Sequence, residues 1–230
     1  MMLFLTFFLL FIVVGYPIWD YFYMKKINSN QFVRWRLYSE IMFVQWGLVI
    51  ILLIFWSSTD RKIHDLFIYT EPFLKFDTET LVSAAIGVIV SILIIALIFR
   101  FSKSAKEKVS EAHQDESIQF LIPKTPVERF LFFWVSVTAG VCEEIIFRGL
   151  MLYYFSHLPF DLSIFAIGLI SSLLFGIVHL YQGWKGVLQT AYLGAILFFL
   201  YVGTGTLWVP IVLHFLIDVK FVFLPNKESV

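Results

Sequence analysis

Six side chains in the second half of the sequence have the types and spacing of a hydrolytic site: Glu143, Glu144, Arg148, His179, His214 and Asp218. Carboxylates and imidazoles exchange protons near neutral pH, so a pair of them can activate a water molecule for attack on a carbonyl. The setting of these groups is as informative as their types. They occur within long apolar runs, where an ionisable group costs about 2.5–3.5 kcal/mol on insertion scales and persists mainly when it faces a cavity or a partner.

In Val141-Cys142-Glu143-Glu144-Ile145-Ile146-Phe147-Arg148-Gly149 two acids and a guanidinium interrupt an apolar helix. At about 100° per residue, Glu144 and Arg148 share a face and can pair. Glu143 is turned away from the arginine, unneutralised, and free to face a water-filled cavity as a general base. The run Leu174-Phe175-Gly176-Ile177-Val178-His179 puts Phe175 and His179 on one face, with Gly176 allowing a neighbouring helix close. In His214-Phe215-Leu216-Ile217-Asp218 an imidazole and a carboxylate stand one turn apart. If the three faces converge, they supply a carboxylate and a histidine to polarise water and a second histidine to stabilise charge. The arginine would hold the second acid.

Each piece also has a plain structural reading. Glu144 and Arg148 could be a helix-stabilising ion pair, His179 could meet lipid headgroups, and His214 with Asp218 could be a local hydrogen bond. Three unrelated burdens in three neighbouring spans are harder to explain than one shared site. Glu143, His179 and His214 would also suit zinc, since three protein ligands and a water make a catalytic zinc site. No His-Glu-x-x-His pair stands on one helix, so zinc stays an alternative and the residues by themselves require no cofactor. Cys142, the single cysteine, is expected to be a packing residue. Ser171 and Ser172 are expected to satisfy helix–helix hydrogen bonds, and His64, His113 and His157 to lie solvated in loops.

The elements that must position these groups are membrane helices. The chain of 230 residues is 60% hydrophobic and 15% charged, with a mean hydropathy of +0.85, against about 45–50% apolar and about 25% charged for a soluble domain. Its apolar residues come in runs matching the roughly 20 residues a bilayer core requires. Seven spans are expected near residues 1–24, 37–57, 80–101, 128–155, 161–181, 186–203 and 207–224. The fold class is thus an all-α polytopic membrane bundle. Residues 1–101 form a three-span front part, 102–127 a polar cytoplasmic linker, and 128–224 a four-span core. The first span lacks a positive start and a small-residue cleavage site and reads as an anchor that stays. Between the second and third spans, Leu66, Phe67, Ile68, Phe73, Leu74 and Phe76 suggest a surface helix in the interface. Lys and Arg after the first and third spans make those loops cytoplasmic, with the N-terminus outside and the C-terminus inside. The formal net charge is zero, which argues against a nucleic-acid partner.

Three ordered motifs, Glu143-Glu144-xxx-Arg148, Phe175-xxx-His179 and His214-xxx-Asp218, resemble those of the CPBP family, intramembrane proteases of the CAAX-processing and bacteriocin-processing type also called Abi proteins. The stretch from Gly186 through Leu193-Gly194 and Thr204-Gly205-Thr206-Leu207-Trp208 to Pro210 is similar to the family's connection before its last motif. The resemblance covers about residues 125–220. It implies a helical bundle around a cavity open to the cytoplasmic side or the membrane, with Glu143 and His179 activating a water that attacks a peptide carbonyl. His214 and Asp218 would stabilise the oxyanion or position substrate, and Glu144 and Arg148 would brace the site. The family commonly has Asn where this chain has Asp218, and a carboxylate there repels an oxyanion unless it is protonated or metal-bound. The family is described both as metalloproteases and as glutamate-dependent proteases.

The reading is an endopeptidase acting on a hydrophobic or lipid-modified peptide at the membrane, of the prenylated CAAX type or bacteriocin-like, in the plasma membrane if the source is a bacterium. Two rivals belong to other classes. A proton-coupled carrier would use Glu143, His179 and His214 as a relay but calls for an inverted repeat, which is not evident. An inactive scaffold or immunity protein would keep the motif helices for packing alone.

Overall fold

The computed structural model describes residues 2–19, 33–59, 61–72 and 120–223. Six of the seven expected spans correspond to helices there. We label the helices α1 (Met2–Trp19), α2 (Arg34–Ser57) and α3, a single turn (His64–Phe67). Then come α4 (Pro126–Ser156), α5 (Ile164–Val178), α6 (Gly183–Thr204) and α7 (Trp208–Val219). Among the described residues four helical stretches have the length and apolar character to cross a membrane: α1, α2, α4 and α6 with the short turn before it. Helices α5 and α7 are shorter. The expected third span, residues 80–101, and all but the end of the linker lie outside the described residues.

Local chemistry sets the helix ends. Thr125 accepts from the Glu128 backbone N–H while the Glu128 carboxylate accepts from the Thr125 N–H, a capping box with Pro126 at the first helical position. Ser163 caps α5 by accepting from the Ala166 N–H. Helix α6 ends at Gly205, whose φ of 74° is left-handed and open to glycine at little cost. Helix α4 is α-helical to Glu144 and then widens into a π-helical segment, Ile145–Leu150.

Lipid gives helices little hydrophobic reason to associate, so close backbone approach at small residues carries much of the packing. Helices α5 and α6 meet at Gly176, where a Cβ would lie 2.7 Å from the Val187 carbonyl oxygen. Helices α4 and α7 meet at Gly140, where a Cβ would lie 3.1 Å from the Ile211 carbonyl oxygen. The first contact brings the Phe175–His179 turn against α6, and the second sets the acids of α4 beside His214. Helix α2 packs along α4. Helix α1 buries Leu5, Phe8, Leu9 and Ile12 in the main core, and its Thr6 hydroxyl is 2.8 Å from the Tyr154 hydroxyl of α4.

The expected surface helix between the second and third spans is not what forms over the described part of that segment. Only one turn is helical, and it inserts into the end of the bundle. Leu66 is fully buried, and its carbonyl oxygen accepts from the Tyr201 hydroxyl at 3.3 Å. The Leu207 N–H donates to the Phe67 carbonyl at 2.8 Å and the Tyr69 N–H to the Gly205 carbonyl at 3.0 Å. Irregular backbone is tolerated beside a bilayer where protein satisfies its polar groups. The α6–α7 connection supplies those partners, which a surface helix would not have used. Phe73, Leu74 and Phe76 lie outside the described residues.

Candidate active site

Helices α2, α4, α5 and α7 bring the polar groups together around a cavity of about 410 Å³. Glu143, His179, His214 and Asp218 line it, with Gln45 from α2 and the largely apolar side chains Ile12, Leu37, Ile41, Val44 and Leu48. All six residues singled out from the sequence belong to one connected cluster.

Two layers can be distinguished. In the inner layer Glu144 and Arg148 are almost fully buried, with side-chain exposures of 0% and 1%, and pair at 2.9 Å. The same Glu144 oxygen, Oε1, accepts from the His214 Nδ1–H at 2.7 Å. Arg148 Nη2 donates to the Gly194 carbonyl oxygen at 3.4 Å, and its guanidinium lies 4.2 Å from the centre of the Phe175 ring. A buried guanidinium needs several partners to offset its desolvation, and Arg148 finds a carboxylate, a carbonyl and an aromatic face.

In the outer layer Glu143 faces the cavity. Its Oε2 is 3.8 Å from Nε2 of His179 and 3.8 Å from Nε2 of His214. His214 Nε2 is also 3.6 Å from Asp218 Oδ2. Both imidazoles are oriented through their other nitrogen. His179 Nδ1 is 2.8 Å from the Phe175 carbonyl oxygen, and a carbonyl only accepts, so Nδ1 carries the hydrogen. His214 Nδ1 is held in the same way by the Glu144 carboxylate. In the neutral rings each Nε2 is therefore left with its lone pair toward Glu143.

The helix ends explain the placement. His179 caps the C-terminus of α5, where the chain leaves the helix and turns toward Gly183. His214 and Asp218 lie in the last two turns of α7. The Glu144–Arg148 pair is the one expected from its spacing. The link from Glu144 to His214 was not, because seventy residues separate the partners. Phe175 is more than a motif spacer: its ring packs against Phe147, His179 and His214 at centroid distances of 5.0, 4.7 and 6.0 Å.

A residue missed in the sequence is Gln45, whose Nε2 donates to Glu143 Oε1 at 2.7 Å. Counting ionisable groups alone passes over it. An amide near the middle of an apolar span is the signal that could have found it, since polar side chains there tend to bond across helices. One expectation fails. Ser172 donates within its own helix, to the Gly168 carbonyl at 2.6 Å, and Ser171 Oγ is buried with no hydrogen-bond partner among the described residues. A helical serine reaches the carbonyl four residues back more easily than a neighbouring helix. Cys142 is buried and free, while His64 and His157 are exposed and His113 lies outside the described residues.

Glu143, His179 and His214 carry the donor types of a zinc site. Among the described residues no group of three His, Cys, Asp or Glu side chains is arranged to hold a metal ion. Glu143, His179 and His214 do not fit a metal as they stand.

Comparison with known proteins bears on the same region. Residues 125–219 match the family model described as Type II CAAX prenyl endopeptidase Rce1-like. A curated relative from Bacillus subtilis (strain 168), named "Putative membrane peptidase YdiL", is 32% identical over 117 residues, covering 51% of this chain and 46% of that protein. The chain thus spans about half the length of the relative it matches. No solved structure matches it. The matched segment, residues 125–219, is the part of the chain that carries all three motifs.

Proposed function

We propose that the protein is an intramembrane endopeptidase that hydrolyses a peptide bond of a membrane-associated substrate. The observation that carries this reading is the position of Glu143 Oε2, 3.8 Å from each of two imidazole Nε2 atoms. That distance exceeds a direct hydrogen bond and suits a bridging water oxygen. Glu143 with His179 takes a proton from the water as its oxygen adds to the scissile carbonyl carbon. The proton then passes to the leaving amine as the C–N bond breaks.

His214 is the group for the developing oxyanion, because a protonated imidazole offers Nε2–H while Nδ1–H stays on Glu144. The 3.6 Å separation of Asp218 from that nitrogen favours a role in orienting His214 or substrate over direct contact with the oxyanion, which an ionised carboxylate would repel. Glu144 and Arg148 brace His214 from the buried side.

The apolar wall formed by Ile12, Leu37, Ile41, Val44 and Leu48 is continuous with these groups and supports a hydrophobic or lipid-modified peptide as substrate. The family description, a CAAX prenyl endopeptidase, makes a prenylated C-terminus the first substrate type to try and a bacteriocin-like peptide the second. The cavity is also lined by Phe120, Leu121, Gln182 and Lys220, residues at the bundle end that the Lys and Arg distribution assigns to the cytoplasm. This supports entry from the cytoplasmic side, with the N-terminus outside and the C-terminus inside.

The test uses purified full-length protein in nanodiscs and a library of membrane-associated peptides, prenylated and unmodified. Wild type should cleave a subset, and Glu143→Ala should lose at least about 100-fold in kcat while remaining folded. Cleavage by Glu143→Ala at the wild-type rate would overturn the assignment of the base, and absence of cleavage by wild type across the library would overturn the protease reading.

A further inference from the structure

Helix α2 lies wholly outside the matched segment, residues 125–219, yet one of its side chains touches the reacting carboxylate. The Gln45 Nε2–H donates to Glu143 Oε1 at 2.7 Å. Carboxylate oxygens only accept, so the amide must turn its nitrogen to Glu143. Among the described residues Gln45 Oε1 is then buried without a hydrogen-bond partner, as is Glu143 Oε2.

That pattern is a poor device for holding two helices together. A buried amide oxygen without a partner is destabilising, and methionine, of similar length, would fill the same space without that penalty. The α2–α4 seam has a neighbouring bond, Trp46 Nε1–H to Thr138 Oγ1 at 3.1 Å, which does not touch the acid. What Gln45 does uniquely is hold one oxygen of Glu143, which determines where the other one points.

We infer that Gln45 is a positioning residue of the hydrolytic site: by holding Glu143 Oε1 it keeps Oε2 turned toward His179 and His214, so that α2 completes a site the matched segment lacks by itself. The inference rests on the hydrolytic reading above. A base held in one rotamer meets its water without a search, and supporting side chains of this kind commonly carry about 10- to 100-fold of the rate. The gain belongs to the chemical step, because Gln45 acts through Glu143.

The experiment compares wild type, Gln45→Met, Gln45→Asn and Trp46→Phe as full-length proteins in nanodiscs, on a peptide that wild type cleaves. Methionine removes the donor at nearly constant length, and asparagine keeps an amide that is one methylene too short. Both should lower kcat by about 10- to 100-fold, with KM within about two-fold of wild type. Trp46→Phe, which breaks the neighbouring seam bond, should lower the unfolding midpoint and leave kcat unchanged. Wild-type kcat in either folded Gln45 variant, or a change confined to KM, overturns the inference and leaves the protease reading standing. If wild type cleaves no peptide, the protease reading falls and the inference with it.

Discussion

Glu144 and His214, seventy residues apart in sequence, meet at 2.7 Å in the buried layer of the site, with the imidazole Nδ1–H donating to the carboxylate oxygen that also pairs with Arg148. This bond selects the tautomer of His214 and points its Nε2 at Glu143. It joins the first motif to the third beneath the cavity.

Replacing Glu144 by glutamine keeps the shape and removes the charge. The neutral amide no longer supplies the anion that favours the protonated imidazole, whose Nε2–H is the donor for the oxyanion. We expect Glu144→Gln to lower kcat by about 10- to 100-fold, as loss of a group orienting an essential histidine commonly does. Steady-state cleavage by the folded variant checks this, and an unchanged kcat would show that the role of His214 does not depend on the Glu144 charge.

Arg148 tests stability instead of rate. Arg148→Met leaves Glu144 buried without its cation, and breaking one side of a buried pair costs about 3–5 kcal/mol. A clear fall in the unfolding midpoint in detergent is the expected result, followed by tryptophan fluorescence. Arg148→Lys should recover only part of it, since a single ammonium cannot reach Glu144 and the Gly194 carbonyl and also cover the Phe175 ring as the guanidinium does. Full recovery would mean that charge alone is required.

Gly149 sits against the Leu66 carbonyl oxygen, where an added Cβ would overlap backbone. Backbone cannot swing aside as a flexible side chain can. Gly149→Ala should therefore push the α3 turn out of the bundle, at a cost of about 1–3 kcal/mol. Faster limited proteolysis within residues 61–72 would report the displacement, whereas wild-type protection would show that the turn can be accommodated elsewhere.

Chelation addresses the role of metal. With no group of three His, Cys, Asp or Glu side chains arranged to hold a metal ion among the described residues, activity should survive exhaustive treatment with a chelator. Loss of cleavage restored by added zinc would require Glu143, His179 and His214 to rearrange into a ligand set.

Much of this protein could be read along the chain. Apolar runs of bilayer length disclosed the helices, because a lipid-exposed backbone must satisfy its own hydrogen bonds and a helix does so within one segment. Glu143, Glu144, Arg148, His179, His214 and Asp218 stood out for a related reason, the cost of an ionisable group at membrane depth. Helical periodicity was enough to pair Glu144 with Arg148.

Tertiary structure decided the contacts between segments distant in sequence. No local pattern joins Glu144 to His214, sends Gln45 of α2 to Glu143, or draws Leu66 beneath Gly149. Those contacts depend on which faces of α2, α4 and α7 oppose one another and at what depth. That is set by close approaches such as Gly140 against Ile211 and Gly176 against Val187. Periodicity specifies the direction of a side chain about its own helix axis and carries no information on the rotation and height of the next helix, which packing alone determines.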